Sequence, residues 1–254
     1  MAEWKNCINK VAGNDKIEDL TKYFKSVDNI YQSPIDKFYI ERDKIIVLGN
    51  QENTLNENDV LGGLLFVGII SATENYIREI FSECIKICPI CKKLVVNNTM
   101  LVGAVIWNHG KLIEKSIFEN LSFSDNEQIK KSMKNSLNID IKQSELLFSL
   151  LNEYEKLCQM RHAIVHSSRD LAGRNAIKMN IFSKDDCSSV KIGYAELQEC
   201  ASICTSLICE MNNYLFVKMA ERWAVKWKKD NLWNEDVWNK SFDMLWDAFC
   251  SKIV

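Results

Sequence analysis

The segment DVLGGLLFVGIISATENYIREIFSECIKI, residues 59–87, is the feature that most restricts how this chain can fold. Its first half is apolar on nearly every side, so a helix formed here must be covered by other parts of the chain. An N-cap residue, Asn58 or Asp59, precedes the apolar run, and Pro89 follows it. The segment therefore predicts a long central helix on which the remaining elements pack.

The composition is typical of a helical globular protein. The 254 residues include only 2 prolines and 9 glycines, which argues against a loop-rich sandwich or a disordered chain. Hydrophobic residues make up 47% and charged residues 26%, and the length suffices for a sizeable core. The formal net charge of -2 excludes a general attraction to polyanions, so any nucleic-acid site must be a local patch.

The termini and cysteines indicate a compartment. The first ten residues, MAEWKNCINK, have no apolar core, so we expect no secretory signal peptide. The longest apolar run, Val60 to Ala72, is too short to cross a bilayer and continues into a charged helical half. Without an export signal, the 10 cysteines are expected to stay reduced. The sequence predicts a cytoplasmic protein that does not associate with a membrane.

The remaining patterns predict an all-α core with small β-hairpins as additions. Helical periodicity predicts helices over about 144–167 and 194–226, shorter ones near 113–121 and 125–137, and an N-terminal helix over 16–32. Alternation predicts a hairpin within DKFYIERDKIIVLG and a β-pair from AIKMNIF and SSVKIG, and residues 88–112 are interpreted as an irregular connector. These elements predict an N-terminal extension over residues 1–57, a helical core over 58–222 and a tryptophan-rich C-terminal helix over 223–254, packed on the core.

Two of the three histidines and an arginine lie in QMRHAIVHSS, at the end of the helix predicted over 144–167. Arg161, His162 and His166 could form a satisfied polar seam, a metal-ligand pair or a catalytic cluster. The two histidines are four residues apart and share a helix face, as helical zinc ligands do. However, HAIVH lacks the glutamate of the HExxH zinc signature, and no third ligand is evident. The helix dipole alone also favours a histidine near a helix C-terminus.

A second cluster, CIKICPICKK, brings Cys84, Cys88 and Cys91 close together. CPIC resembles half of a zinc knuckle, but a structural zinc site normally needs a second paired half, and none is visible. Other cysteines lie along a predicted helix, where cysteine often serves as a small buried apolar residue. The sequence therefore favours buried or loop thiols, and it predicts neither a metal nor a cofactor.

The hexapeptide RHAIVH matches the Arg-x(4–6)-His motif of HEPN domains, and the chain resembles the RiboL-PSP type of HEPN protein in further segments. LLFVGIISATENYIREIFSECIKICPI looks like the first core helix of that type, with an acidic residue followed by an arginine one turn later. The following connector and VKIGYAELQE also fit. The resemblance covers about Asp59 to Lys218.

The resemblance implies a four-helix, up-and-down core that forms a homodimer, so that two motifs face each other across a cleft. It also implies a metal-independent endoribonuclease of a toxin or anti-phage defence system, which cuts transfer RNA or messenger RNA and has an antitoxin or defence-system partner. Two alternatives stay open. One is a catalytically inactive HEPN module that binds RNA or a protein, and the other is a zinc-dependent hydrolase.

Arg161 and His166 are the predicted catalytic residues. Histidine suits removal of the 2′-hydroxyl proton near neutral pH, and arginine holds phosphate with a planar, charged fork. Five helical positions separate the two side chains by about 140° and roughly 7.5 Å along the axis. One chain alone would serve a single phosphate poorly, and a two-fold copy would complete the cleft.

Six further residues are predicted to support this pair. His162 is expected to orient His166 or to contact RNA. Glu74 and Arg78 are expected to pair and to position Arg161, although an ordinary ion pair between residues four apart explains them equally well. Arg169 and Arg174, together with Lys178, are expected to supply the local positive patch.

Overall fold

A computed structural model describes residues 16–25, 31–97, 99–107, 113–181, 188–227, 229 and 235–253 of the chain. Over these residues the protein is helical, and the only β-type pairing is one isolated antiparallel bridge between Asp170 and Ser189. The chain divides into two compact units, Met1–Tyr31 and Gln32–Val254. The all-α fold class predicted from the sequence is confirmed.

The first unit contains a short 3-10 turn, Leu20–Tyr23. Asp19 caps this turn, because its carboxylate accepts the Thr21 backbone N–H at 2.9 Å. The helix predicted over residues 16–32 is wrong over 16–25, and residues 26–30 lie outside the described residues. No residue of the turn is buried, so no packed face supports a longer helix here.

The second unit contains eleven α-helices in its described residues. In chain order they are α1 (Pro34–Leu48), α2 (Glu52–Glu57), α3 (Asp59–Ile87), α4 (Pro89–Val95), α5 (Val102–Trp107), α6 (Ile113–Ser116), α7 (Asn126–Leu137), α8 (Leu146–His166), α9 (Gly173–Lys178), α10 (Tyr194–Arg222) and α11 (Glu235–Phe249). A π-helical turn, Trp223–Trp227, follows α10 directly.

The central helix predicted from the apolar segment is present as α3. The Asn58 side chain caps the start of the helix by accepting the Leu61 N–H at 3.1 Å. The helix ends at Ile87, because Cys88, the residue before Pro89, has an extended backbone. The helix contacts α1, α2, α4, α6, α7, α8, α10 and α11. Its length and composition would also allow it to span a membrane, but 56% of its most apolar window is buried inside the protein.

Three long helices, α3, α8 and α10, each pack against the other two and enclose the main core. Side chains from all three are completely buried, among them Ile69, Ile77, Leu147, Leu151, Tyr154, Cys204, Ile208 and Met211. Near the end of α8, the side chain of Ile164 packs over Gly63 of α3. A Cβ atom added at Gly63 would lie 3.4 Å from Ile164 Cγ2, which is an ordinary van der Waals contact. The core therefore holds the last turns of α8 against α3.

The hairpin predicted within DKFYIERDKIIVLG is wrong, because these residues belong to α1. Ser33 caps this helix by accepting the Asp36 N–H at 3.3 Å, and Pro34 occupies its first turn, where proline is well tolerated. Phe38, Tyr39 and Ile45 are buried in the core at helical spacing. The apparent alternation was too short to distinguish the two periods.

The β-pair predicted from AIKMNIF and SSVKIG is also wrong where it is described. Residues 176–178 belong to α9, and residues 182–187 lie outside the described residues. The Asn175 side chain donates to the Gln159 carbonyl at 3.3 Å and fixes α9 on α8, which overrides the local β-preference. The supposed irregular connector contains α4 and α5, so that interpretation was wrong as well.

The segments on either side of the predicted core belong to the same compact unit as the core. Residues 32–57, interpreted from the sequence as part of an extension, form α1 and α2 and pack on α3. At the other end, α11 contacts α1, α3 and α10. The buried carboxylate of Asp36 accepts the Ser251 hydroxyl at 2.6 Å and the Lys252 N–H at 3.1 Å, which ties the C-terminal segment to α1.

Gly62 allows the backbone at Ile192 to pack directly on α3. A Cβ atom at Gly62 would overlap the Ile192 carbonyl oxygen, and backbone cannot move aside by itself. We predict that Gly62→Ala lowers the free energy of unfolding, measured by urea denaturation, by about 1–3 kcal/mol, the usual cost of overpacking. Gly103→Ala is the control, because nothing lies within 4 Å of that position. A Gly62→Ala protein as stable as the unaltered chain would contradict this packing.

Candidate functional site

The Arg-His motif lies on the last two turns of α8, which ends at His166. Just beyond the end of α8, Ser168 and Arg169 have positive φ angles of 50° and 78°. Such angles are strained for residues other than glycine and persist only where surrounding contacts enforce them. Here the Arg169 N–H donates to the Ala163 carbonyl at 3.0 Å. The chain therefore turns away immediately after His166 and leaves that side chain exposed.

The two motif histidines contact each other through their rings. The ring centroids of His162 and His166 are 4.7 Å apart, and both residues are exposed. Desolvation lowers the pKa of His162 below its ordinary value of 6.5, and the positive charges of His166, Arg161, Arg174 and Lys178 lower it further. His162 is therefore mainly neutral at neutral pH and can accept a hydrogen bond.

Arg161 is partly buried, and its Nε atom is completely buried without a hydrogen-bond partner among the described residues. No carboxylate in the described part of the chain forms an ion pair with it. Buried N–H groups are nearly always satisfied, and an unsatisfied one costs about 1–3 kcal/mol. A guanidinium in this state is suited to bind an anion such as phosphate.

A cavity of about 210 Å³ opens beside Arg161 and His162. Residues from the segment before α7, from α8 and from α9 complete its wall, namely Ser124, Asp125, Cys158, Gln159, Arg174, Asn175 and Lys178. His166 does not line this cavity. Within one chain, the predicted catalytic arginine therefore shares a cavity with His162 and not with His166.

The predicted ion pair between Glu74 and Arg78 is wrong. Arg78 donates to the Leu121 carbonyl at 3.1 Å and the Phe118 carbonyl at 3.4 Å, and its guanidinium lies 5.7 Å from the Phe123 ring centroid. This arginine therefore holds the segment before α7 on α3. Glu74 is partly buried near α8, where its charge adds to the effect of burial in raising the pKa of Tyr154.

The three cations expected to form a positive patch differ in their partners. Arg169 Nη1 lies 3.7 Å from an Asp59 carboxylate oxygen, and Lys178 Nζ lies 3.2 Å from a Glu155 carboxylate oxygen. Arg174 is exposed on α9, and it forms no ion pair within the described residues. Among the described residues, Arg174 and Arg161 thus carry positive charge that no ion pair neutralises.

The cysteine cluster links α4 to the end of α10. Cys84, Cys88 and Cys91 are buried, Trp223 Nε1 donates to the Cys88 sulfur at 3.3 Å, and Arg222 donates to the Cys91 sulfur at 3.5 Å. A hydrogen bond from Cys91, opposed by burial, lowers the pKa of Cys88 to about 5. Among the described residues, no three His, Cys, Asp or Glu side chains are grouped so that they could hold a metal ion.

Comparison with known proteins identifies the family. The family model described as RiboL-PSP-HEPN matches residues 37–216, well over half of the chain. The chain belongs to the RiboL-PSP-HEPN family. No protein with a curated description and no solved structure matches it.

Family membership confirms the resemblance inferred from RHAIVH and the first core helix. The match begins within α1, earlier than Asp59, where the resemblance was expected to begin, and this agrees with the packing of α1 on α3. Membership in a HEPN family indicates a nuclease-type, RNA-related role.

Several residues of the cavity wall were missed by sequence reasoning. Asp125 could have been recognised in the sequence as a helix N-cap, and in the structure it caps α7 by accepting the Glu127 N–H at 2.9 Å. Gln159 and Asn175 carry no such signal, since their bond depends on α9 folding back onto α8. Only the tertiary structure brings these side chains beside Arg161.

The low pKa of His162 can be measured directly. We predict that His162 titrates below 6.5 and that His166→Ala raises its pKa, because the change exposes the ring and removes a positive neighbour. NMR titration of the histidine ring protons, assigned with His162→Gln, provides the measurement. Lys93→Gln, on the exposed side of α4, should leave the pKa unchanged. An unchanged or lower pKa in His166→Ala would show that the two rings are not coupled.

Proposed function

We propose that this protein is a metal-independent endoribonuclease that cleaves RNA through attack of a ribose 2′-hydroxyl on the neighbouring phosphate. The observation that best supports the proposal is Arg161, a partly buried guanidinium with no carboxylate partner among the described residues. It lies beside two histidines in contact, in a chain of a HEPN family. The arrangement supplies an anion-binding group next to imidazole groups, which can accept and donate protons.

In the proposed reaction, His166 removes the proton of the 2′-hydroxyl. The 2′-oxygen forms a bond to phosphorus, the bond to the 5′-oxygen of the next nucleotide breaks, and that oxygen takes up a proton. One product ends in a 2′,3′-cyclic phosphate. Arg161 stabilises the phosphorane oxygens through paired hydrogen bonds from its planar guanidinium. His162 orients His166 through the ring contact or binds the RNA.

We infer that the site is completed by a second copy of the chain. Five helical positions place Arg161 and His166 about 140° apart on α8, and only Arg161 lines the cavity. An apolar patch next to the motif supports a two-fold contact: Val60 and Leu64 on α3 are 57% and 64% exposed, and Val165 is 45% exposed. Such a patch favours self-association of equivalent surfaces.

The biological setting proposed from the family resemblance is that of a cytoplasmic toxin or anti-phage defence effector. The substrate would be transfer RNA or messenger RNA, and the further partner an antitoxin or another defence-system protein. The overall charge of -2 leaves RNA binding to local cations, which agrees with the positions of Arg161 and Arg174.

Cleavage chemistry tests the proposal. We predict that the purified protein cleaves RNA in the presence of a chelator, leaves 2′,3′-cyclic phosphate ends and does not cleave DNA. His166→Ala should lower the rate at least about a hundredfold, the usual contribution of a general base, without changing the melting temperature. Arg161→Lys should also be strongly impaired, because an ammonium group cannot form the paired contact.

Other outcomes of the same assay would favour a different function. Cleavage that stops with the chelator and leaves 3′-hydroxyl ends would indicate water activated by a metal. Binding of RNA without cleavage by the unaltered protein would support the inactive HEPN module.

The composite site can be tested by subunit complementation. In a mixed dimer of Arg161→Gln and His166→Ala chains, one of the two composite sites retains both native residues. We predict that co-expressing these inactive variants restores about a quarter of the unaltered activity, as random pairing of subunits requires. Mixing Arg161→Gln with a chain that carries both substitutions is the control and should restore none. Absence of complementation in sedimenting dimers would place both residues of a site on one chain.

A further inference from the structure

The wall of the 210 Å³ cavity carries more positive than negative charge. Arg161, Arg174 and Lys178 contribute three cations, and Asp125 contributes the single carboxylate in the wall. That carboxylate already accepts the Glu127 and Gln128 N–H groups, at 2.9 and 3.4 Å, as the cap of α7. The Asp125 carboxylate therefore interacts with the positive end of the α7 dipole, which reduces the effect of its charge on the cavity.

Lys178 is the least available of the three cations. Its ammonium group lies 3.2 Å from Glu155, and the same carboxylate also accepts the Gln159 side-chain N–H at 2.6 Å and the Asn126 backbone N–H at 3.0 Å. This network joins α7, α8 and α9 at the rim of the cavity. It stabilises the wall and neutralises Lys178.

Arg174 differs from Lys178, because its backbone is fixed on α8 through the neighbouring residue while its side chain has no partner among the described residues. The neighbouring Asn175 is buried and donates to the Gln159 carbonyl, which fixes this turn of α9 on α8. The Arg174 guanidinium has no hydrogen bond or ion pair within the described residues, and Arg161, which lines the same cavity, forms no ion pair among them either. Two guanidinium groups that line one cavity, with Asp125 as the single carboxylate of its wall, are stabilised when an anion binds between them.

The size and chemistry of the cavity favour a phosphate group over a nucleobase. At about 210 Å³ it is smaller than the pockets of about 300–1,000 Å³ that enclose whole small molecules. None of the residues that line it is a phenylalanine, tyrosine or tryptophan, and the one aromatic ring in its wall, that of His162, already contacts the ring of His166. Its wall includes two guanidinium groups, which match the geometry of phosphate oxygens.

The cavity is also connected to the proposed reaction centre. His162 lines the cavity, and its ring contacts that of His166. A strand whose reacting phosphate lies at His166 would therefore continue past the cavity.

We propose that this cavity is a second phosphate subsite, in which Arg174, together with Arg161, binds the RNA phosphate next to the one that is cleaved. The proposal rests on the proposed endoribonuclease function and adds a defined contact to it. Arg174 acts here as a substrate-positioning residue outside the bond-breaking step.

Short substrates that differ by one phosphate test the subsite. The set is a dinucleoside monophosphate and the same molecule with an added phosphate at its 5′ or its 3′ end. Arg174→Gln should lower kcat/KM about tenfold on one of the two extended substrates, the loss of one charge-assisted contact, and leave the unextended one unchanged. Lys93→Gln, which removes an exposed charge on α4, should change none. Equal loss on all three substrates, or no loss on any, would overturn the proposal.

Binding to an uncleavable strand separates this inference from the proposed activity. With a 2′-deoxy-substituted oligonucleotide, Arg174→Gln should weaken binding and reduce the slope of log affinity against log salt by about 0.7, the value for one phosphate contact on a single strand. An unchanged slope would overturn the subsite, even if the protein cleaves RNA. Absence of cleavage by the unaltered protein would overturn only the proposed function.

Free phosphate compounds are the other source of the same chemistry. Inorganic phosphate and ATP should bind weakly and compete with the oligonucleotide. If Arg174→Gln abolishes ATP binding but leaves oligonucleotide binding unchanged, the cavity is a site for free nucleotides and the RNA subsite is disproved.

Discussion

The burial of α3 among the other helices is the interaction on which the rest of the structure depends. Side chains such as Ile69, Ile70 and Ile77 on this helix are completely buried. Covering the apolar surface of so long a helix requires other long helices, because the burial of that surface stabilises the fold in proportion to its area. The long helices α8 and α10 therefore pack on α3 and on each other, and α1 and α11 cover what remains. Glycine at position 62 allows the backbone at Ile192, just before α10, to lie directly against α3.

The same helix positions the candidate site at several points. Asp59, at its start, lies near Arg169 just beyond α8, and Gly63 receives Ile164 from the last turns of α8. Further along, Arg78 donates to two carbonyls of the segment that leads to Ser124 in the cavity wall. A rigid core of this kind holds the side chains of a site in fixed positions.

The site itself depends on unequal neutralisation of charge. Glu155 is surrounded by donors and neutralises Lys178, while Arg161 and Arg174 have no carboxylate partner among the described residues. This local excess exists in a chain whose formal net charge is -2. Selective binding of an anionic substrate at one place is compatible with that balance, because the field of nearby charges exceeds that of the distant ones.

The sequence by itself determined the helical class, the central helix and the family, since these depend on hydrophobic period and on a short motif within one helix. Ser33 and Pro34 were local signals for α1, but the alternation over DKFYIERDKIIVLG concealed them. The partners of Arg78 and the wall around Arg161 were decided only by the tertiary structure. Arg78 had a carboxylate one turn away and yet bonds to carbonyls some forty residues further along the chain. Likewise, Arg174 shares a cavity with Arg161 because a buried asparagine, Asn175, folds α9 onto α8. A local pattern specifies which face of a helix is apolar, whereas contacts between distant segments depend on how the whole core closes.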